Sequence, residues 1–302
     1  MPKIIQFLHP NPEAKPSKKS NIISWNCGDK HKRKFLLSKG KYVYNNIEKD
    51  ACLTFWGEWE PQSYAEKLPN LGQKFPTYLN RPFWNTTASN ACHNTDPYVF
   101  GQSFNYFICQ QGLKKVLRNL EPFSLILFGS CINSQFCLDT LFVVSDTQKK
   151  YKISNVEKLG NKNTAFYHAS IKPLLSEERC TKMRCNAVKD ELTFYKGVSF
   201  NEKEEYNNMF SFAPARLYAN NEKSDYAFQR PKIEIPEIIS PRLTQGINGN
   251  GGKKYSEKQI IEVWHKIVDI MNNNNLLLGT NFEEPVQASI KNEQDAETVF
   301  KC

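Results

Sequence analysis

The stretch Ala51–Pro61, ACLTFWGEWEP, ends an apolar run with Trp56, Glu58, Trp59 and Glu60 inside five residues. Ala51 to Trp56 reads as a strand. Alternation with period two then sends Trp56, Glu58 and Glu60 to one side, and Gly57 and Trp59 to the other. A carboxylate beside an indole is partly desolvated, which raises its pKa and suits it to general acid or base work. Glu58 and Glu60 are therefore catalytic candidates, and Trp56 and Trp59 are candidate plates for stacking a base. The competing reading is a strand end packed on its own core, with one glutamate salt-bridged and one exposed.

Just upstream, Phe35 to Ser38 and Lys41 to Tyr44 flank Lys39-Gly40 in a hairpin pattern. The basic cluster Lys30-His31-Lys32-Arg33-Lys34 would then stand beside the tryptophan-glutamate strand. On a strand, Lys30, Lys32 and Lys34 share one face, and His31 and Arg33 the other. A buried His31-Arg33 face needs an acid such as Glu58 or Glu60, or a ligand phosphate. His31 joins the catalytic candidates, and Lys30, Lys32, Arg33 and Lys34 are candidate phosphate ligands. Arg81 and Arg230 each precede a proline, which holds them extended and suits them to the same task. His9, Asp96 and Gln110 complete the candidate pocket. The alternative is a solvated basic turn.

The 302 residues carry a formal net charge of +9, with 40% hydrophobic and 24% charged residues, ordinary for a globular chain. Ten lysines and Arg33 face four acids in residues 1–50, so this segment holds +7 of the total. Such a block points to a polyanionic partner, a nucleic acid or nucleotide. No stretch approaches the roughly 18 apolar residues of a membrane span, so no membrane partner is expected. Nine cysteines lack framework spacing, and the short apolar run after Lys3 is no secretory signal. Reduced thiols in a cytoplasmic protein are expected. Cys180 with Cys185, and Cys92 beside His93, lack a second half of a zinc-binding pattern, so no metal is assigned and the cofactor is unknown.

Lys3 to Leu8, Ser124 to Phe128 and Leu141 to Val144 read as buried strands, with a tight turn at Gly129-Ser130. Leu113, Val116, Leu117 and Leu120 have helical spacing, and Ala165 to Ile171, Leu192 to Tyr195 and Met209 to Phe212 give weaker strand signals. The segment from Gln62 to Asp96, rich in proline and aromatics, reads as a lid loop. Ser256 and Gln259 form a capping box before the stripe Ile260, Val263, Trp264, Ile267 and Met271. The expected fold is α/β or α+β, a mixed central β-sheet with flanking helices in a single compact unit. A mixed domain spans 1–245, its motifs within 1–145, and a glycine- and asparagine-rich linker and helix follow in 246–302.

Gly129-Ser130 followed by Asp139 resembles the nucleotidyltransferase signature, but Leu141 stands where that family's second carboxylate would be. The strings FLHP, WNCGDKHKRKFL, FWGEWEP, NTDPYVFG, FNYFICQQ, LILFGS and LDTLFVV together resemble an uncharacterised bacterial family similar to the nucleotide-modification-associated domains of phage and mobile-element neighbourhoods. The resemblance covers roughly residues 4–145. It implies nucleotide modification or phage defence as a setting, without assigning a reaction. The first expectation is an enzyme acting on a nucleotide or nucleic acid; the alternative is a non-catalytic nucleic-acid-binding or protein-interaction module.

Overall fold

The computed structural model describes residues 1–28, 30–72, 75–85, 92–152, 161–174, 191–219, 225–240, 244, 246–248, 253–291, 293–300 and 302. Fourteen strands are present among them: β1 (Ile4–His9), β2 (Ile22–Ile23), β3 (Lys34–Tyr44), β4 (Ile47–Gly57), β5 (Ser63–Lys67), β6 (Tyr78–Trp84), β7 (Asn105–Tyr106), β8 (Leu125–Ile132), β9 (Gln135–Lys152), β10 (Glu191–Gly197), β11 (Ala213–Leu217), β12 (Gly246–Asn248), β13 (Leu277–Phe282) and β14 (Val286–Gln287). One sheet runs β12-β1-β8-β9-β10-β7, with β1 and β8 parallel. The other runs β13-β11-β4-β3-β6-β5-β2, with β14 on β6 and a further pairing of β13 with β3. Both sheets are mixed. Helices among the described residues are few: α1 (Glu257–Asn273), α2 (Glu293–Val299) and short tight turns. β12, β13 and β14 bring the described residues after 245 into the two sheets.

Apolar residues on both faces of the central strands explain the two-sided burial. Leu125 and Leu127 pack with Phe35, Leu37 and the α1 stripe in one core; Ile126 and Phe128 pack with Leu36, Leu53 and Phe55 in another. Ser256 caps α1 with its reciprocal partner Gln259, and Ile260, Val263, Trp264, Ile267 and Met271 are all buried.

Several local expectations are corrected. Lys39-Gly40 is not a turn: β3 runs straight through it, and the hairpin to β4 closes at Asn45-Asn46, both with positive φ. Gly40 instead permits a close crossing, because a Cβ there would lie 2.2 Å from the carbonyl oxygen of Asn281 on β13. Nor does Gly129-Ser130 turn; β8 continues to Ile132 and turns into β9 at Asn133-Ser134. The expected lid contains β5 and β6, with Phe83 and Trp84 buried. Leu113 to Leu120 yields only a short 3-10 turn at Lys115–Arg118, and Ala165 to Ile171 is helical rather than extended.

The expectation of reduced thiols is also corrected. Cys27 pairs with Cys92 and Cys52 with Cys302, which removes the support that thiol chemistry lent to a cytoplasmic location. Cys180 and Cys185 lie outside the described residues. Among the described residues, no helix is long and apolar enough to cross a membrane.

Candidate functional site

Strand register assembles the site. Lys34 of β3 stands opposite Gly57 of β4, so the residues entering β3 and those leaving β4 emerge at the same end of their sheet. In the other sheet, His9 at the end of β1 aligns with Ser130 of β8. Pairing between β8 and β9 steps from Phe128–Thr140 to Gly129–Leu138, leaving Asp139 as the extra residue of a bulge. Bulges re-aim side chains. Gly129 permits this one, since a Cβ there would lie 2.2 Å from the Cys137 carbonyl oxygen.

Arg33 joins the two sheets. Its Nη1 donates to Glu58 Oε2 at 2.6 Å and its Nε to Asp139 Oδ2 at 3.1 Å, and the side chain is almost wholly buried. Ser130 Oγ donates to the same Asp139 oxygen at 3.2 Å. Arg230 lies with Nε 3.6 Å from Asp139 Oδ1, an ion-pair distance beyond hydrogen-bond reach, while its Nη2 donates to the Asn11 carbonyl at 3.0 Å. Its guanidinium covers the Trp56 ring at 4.4 Å. Arg230 Nε and Nη1 and Asp139 Oδ1 are buried without a hydrogen bond to any described residue.

Glu58 is the centre of the network. Besides Arg33, its carboxylate meets His9 Nδ1 at 3.2 Å and His31 Nδ1 at 3.0 Å, and it accepts from the Asp96 backbone N–H at 3.2 Å. Glu60 Oε1 lies 2.9 Å from the same His31 nitrogen, and its Oε2 accepts from Asn26 Nδ2 at 2.6 Å. Burial alone would lower the His31 pKa, but Glu58 and Glu60 outweigh it and hold the imidazole raised to about 10. Burial would likewise raise Glu58, yet His31, Arg33 and His9 hold it well below the usual carboxylate range. The expected upward shift beside an indole is therefore corrected: opposite charges dominate the aromatic neighbour.

His9 has its pKa lowered well below the ordinary value, by burial first and by Arg33 second. Its Nε2 lies 3.5 Å from Cys109 Sγ. Burial, with Asp96 and Glu58 nearby, raises the Cys109 pKa, so this is a thiol and not a thiolate. Asp96 accepts from the backbone N–H groups of Phe107, Ile108 and Cys109, fixing the loop that presents Cys109; burial lifts its pKa to about 7 against those bonds.

Of the candidates from sequence, His9, His31, Arg33, Glu58, Glu60, Asp96 and Arg230 thus come together. The others do not. Trp59 is fully buried with its indole N–H donating to the Gln62 carbonyl, and Trp56 donates to Phe228 beneath Arg230, so neither offers a face to a base. Lys34 is buried, its Nζ bound to the Pro61 carbonyl at 2.6 Å, and burial drops its pKa to about 7 despite Glu60; it is no phosphate ligand. Lys30 and Lys32 are exposed at the rim. Arg81 pairs with Glu66 at 3.8 Å and lines a separate cleft of about 150 Å³ with Pro285 and Phe300. Gln110 is half-buried, and its carbonyl caps the turn at Leu113 and Lys114.

Asn26 and Cys109 carry no signal in the sequence, and Asp139 reads there as half of a metal dyad or as the cap of a tight turn. Its two arginine partners and the core position of Leu141 exclude that dyad. No family model, curated protein or solved structure matches the chain.

Proposed function

We propose that the chain is an enzyme acting on a nucleotide or nucleic acid, with its chemistry at His31, Glu58 and Glu60. The observation that carries this reading is the pair of unmet groups beside that trio. Among the described residues, Arg230 Nε and Nη1 and Asp139 Oδ1 are buried without a hydrogen bond, Nε and Oδ1 meeting only as an ion pair at 3.6 Å. Buried polar atoms without partners are costly, roughly 1–3 kcal/mol each, and a ligand that supplies both an acceptor and a donor relieves them. A phosphate for Arg230 and a hydroxyl or amine for Asp139 meets that description, and nucleotides carry both. Exposed Lys15, Lys18, Lys19, Lys30 and Lys32 in the same N-terminal segment would draw such an anion toward the protein. With Trp56 and Trp59 in the core, recognition rests on phosphate and polar edges, not on stacking. Nucleotide modification, the setting suggested by the sequence motifs, is the finer form of this proposal.

Calorimetric titration with nucleoside mono- and triphosphates and with a short single-stranded oligonucleotide tests it. Wild type should bind at least one of these and Arg230→Met should lose at least tenfold in affinity, with folding checked by circular dichroism. No binding by wild type overturns the reading. Binding that survives Glu60→Gln, without any turnover by wild type, would instead favour a non-catalytic binding module.

A further inference from the structure

We infer that His31 Nδ1, Glu58 Oε1 and Glu60 Oε1 form a site for one divalent first-row transition cation of the Mn²⁺ or Zn²⁺ type. The inference deepens the reading above, since it assigns a cofactor to the same site. These three ligand atoms lie within 4.8 Å of one another, with the imidazole nitrogen 3.0 Å from one carboxylate and 2.9 Å from the other. Ligands about 2.1 Å from an ion and at right angles around it stand about 3 Å apart. Both nitrogen–oxygen spacings match that value, and the two carboxylate oxygens stand within 4.8 Å of each other, close enough to share one cation.

Hydrogen bonding alone accounts for the trio less well. One ring nitrogen carries at most one proton, yet two carboxylates approach Nδ1 at hydrogen-bond distance. Both glutamates are at most 5% exposed, so water does not screen the pair as it does for acidic clusters on a surface.

The outer contacts point the same way. Glu58 Oε2 is taken by Arg33 at 2.6 Å and His9 at 3.2 Å, and Glu60 Oε2 by Asn26 at 2.6 Å. Each far oxygen is thus held by outer partners and each near oxygen faces His31, with Glu58 Oε1 also accepting from the Asp96 N–H at 3.2 Å, an arrangement in which outer partners orient metal ligands. His31 keeps 17% of its side chain exposed, so water or substrate can reach the cluster and complete the coordination. One imidazole with two carboxylates favours Mn²⁺ or Zn²⁺ over an all-oxygen Mg²⁺ or Ca²⁺ site. Such an ion would neutralise phosphate charge or acidify a bound water beside Arg33 and Arg230.

The test uses the 302-residue chain stripped with a chelator. Mn²⁺ is titrated in while the electron paramagnetic resonance signal of free Mn²⁺ is followed, and Zn²⁺ is titrated calorimetrically. Wild type should bind about one equivalent of at least one of the two. Glu60→Gln should lose binding by more than tenfold, and Asn26→Ala, which removes only an outer partner, should lose roughly 10- to 100-fold. Arg230→Met should keep stoichiometric metal binding while losing nucleotide, so failure of the metal site and failure of the nucleotide reading are separable. Absence of stoichiometric Mn²⁺ and Zn²⁺ binding in wild type overturns the inference. So does unchanged affinity in Glu60→Gln, or in Asn26→Ala should Glu60→Gln not fold.

Discussion

Replacing Glu58 by glutamine keeps the side chain's shape and deletes the charge at the centre of the buried network. The Arg33 contact is 2.6 Å long between groups that are both almost fully buried. At an effective dielectric of about 20, Coulomb's law gives roughly 6 kcal/mol of attraction at that distance. Desolvation of the two ions takes back much of it, but truncating one partner leaves the other charge buried without compensation, at a cost of about 3–5 kcal/mol. Arg33 retains Asp139 at 3.1 Å, which places the expectation toward the lower end. Glu58→Gln should therefore lose about 3 kcal/mol in denaturant unfolding. Glu60→Gln, whose carboxylate meets the partly exposed His31 and Asn26 but no arginine, should lose about 1 kcal/mol. A cycle with Arg33→Met adds a second reading: the double variant should be less destabilised than the sum of the two singles, because neither charge is then left alone. A loss below about 1 kcal/mol for Glu58→Gln, the range of exposed pairs, or strict additivity in the cycle, would refute the placement of Glu58 as the hub.

Lys34 gives a pH-dependent expectation: its pKa falls from 10.5 to about 7 on folding. Below about pH 7 both states hold the proton and the burial cost is carried in full. Between about 7 and 10 Lys34 holds its proton in the unfolded chain only, so its contribution to stability rises with pH, opposing that of His31, which keeps its proton in the folded state up to about pH 10. Lys34→Met should remove that rise when denaturation midpoints are compared at about pH 6 and about pH 9.5, and parallel curves for variant and wild type would contradict it. Gly40→Ala should cost about 1–3 kcal/mol in unfolding free energy, since the new Cβ meets the Asn281 carbonyl at 2.2 Å; an unchanged midpoint would mean β13 does not cross there. With four of the nine cysteines paired, thiol titration in denaturant without reductant should find at most five groups, and a count above five would show that a pair is open.

Local signals were legible where the chain's own neighbours decide the outcome. The capping box at Ser256 and the stripe through Met271 fixed a helix from the sequence alone, and the apolar runs at β1, β8 and β9 were equally plain. Reading failed where a distant segment decides. Gly40 looks like a turn until Asn281, far along the chain, is placed against it, and Trp59 looks like a ligand platform until Phe100 packs on its edge at 5.3 Å. The site shows the same division. His31, Arg33, Glu58 and Glu60 could be brought together on paper because one hairpin pairs their strands. Asp139, on β9, lies 106 residues from Arg33, and Cys109, in the turn after β7, lies 100 residues from His9; no spacing encodes either approach.

Stability does not account for this cluster, since well-packed apolar residues often serve a core as well as a buried ion pair does, or better. The Arg33 bonds to Glu58 and Asp139 do tie the two sheets together, and to that extent a folding role explains them. It does not explain the two places where satisfaction is incomplete. On one side, Arg230 and Asp139 face each other at 3.6 Å with buried atoms unbonded. On the other, two carboxylates crowd a single nitrogen of His31. Arg33 and Glu58 connect these places directly, so charge arriving at either is felt at the other through two short ion pairs. A cation at His31 would draw on Glu58 and loosen its hold on Arg33, freeing guanidinium donors toward the same side as Arg230. Nucleotide affinity should therefore rise when Mn²⁺ or Zn²⁺ is present, and by linkage the metal should bind more tightly in the presence of nucleotide by the same factor. Titrations of each ligand with and without the other measure both factors. Equal affinities in all four would show that the two incomplete places are independent.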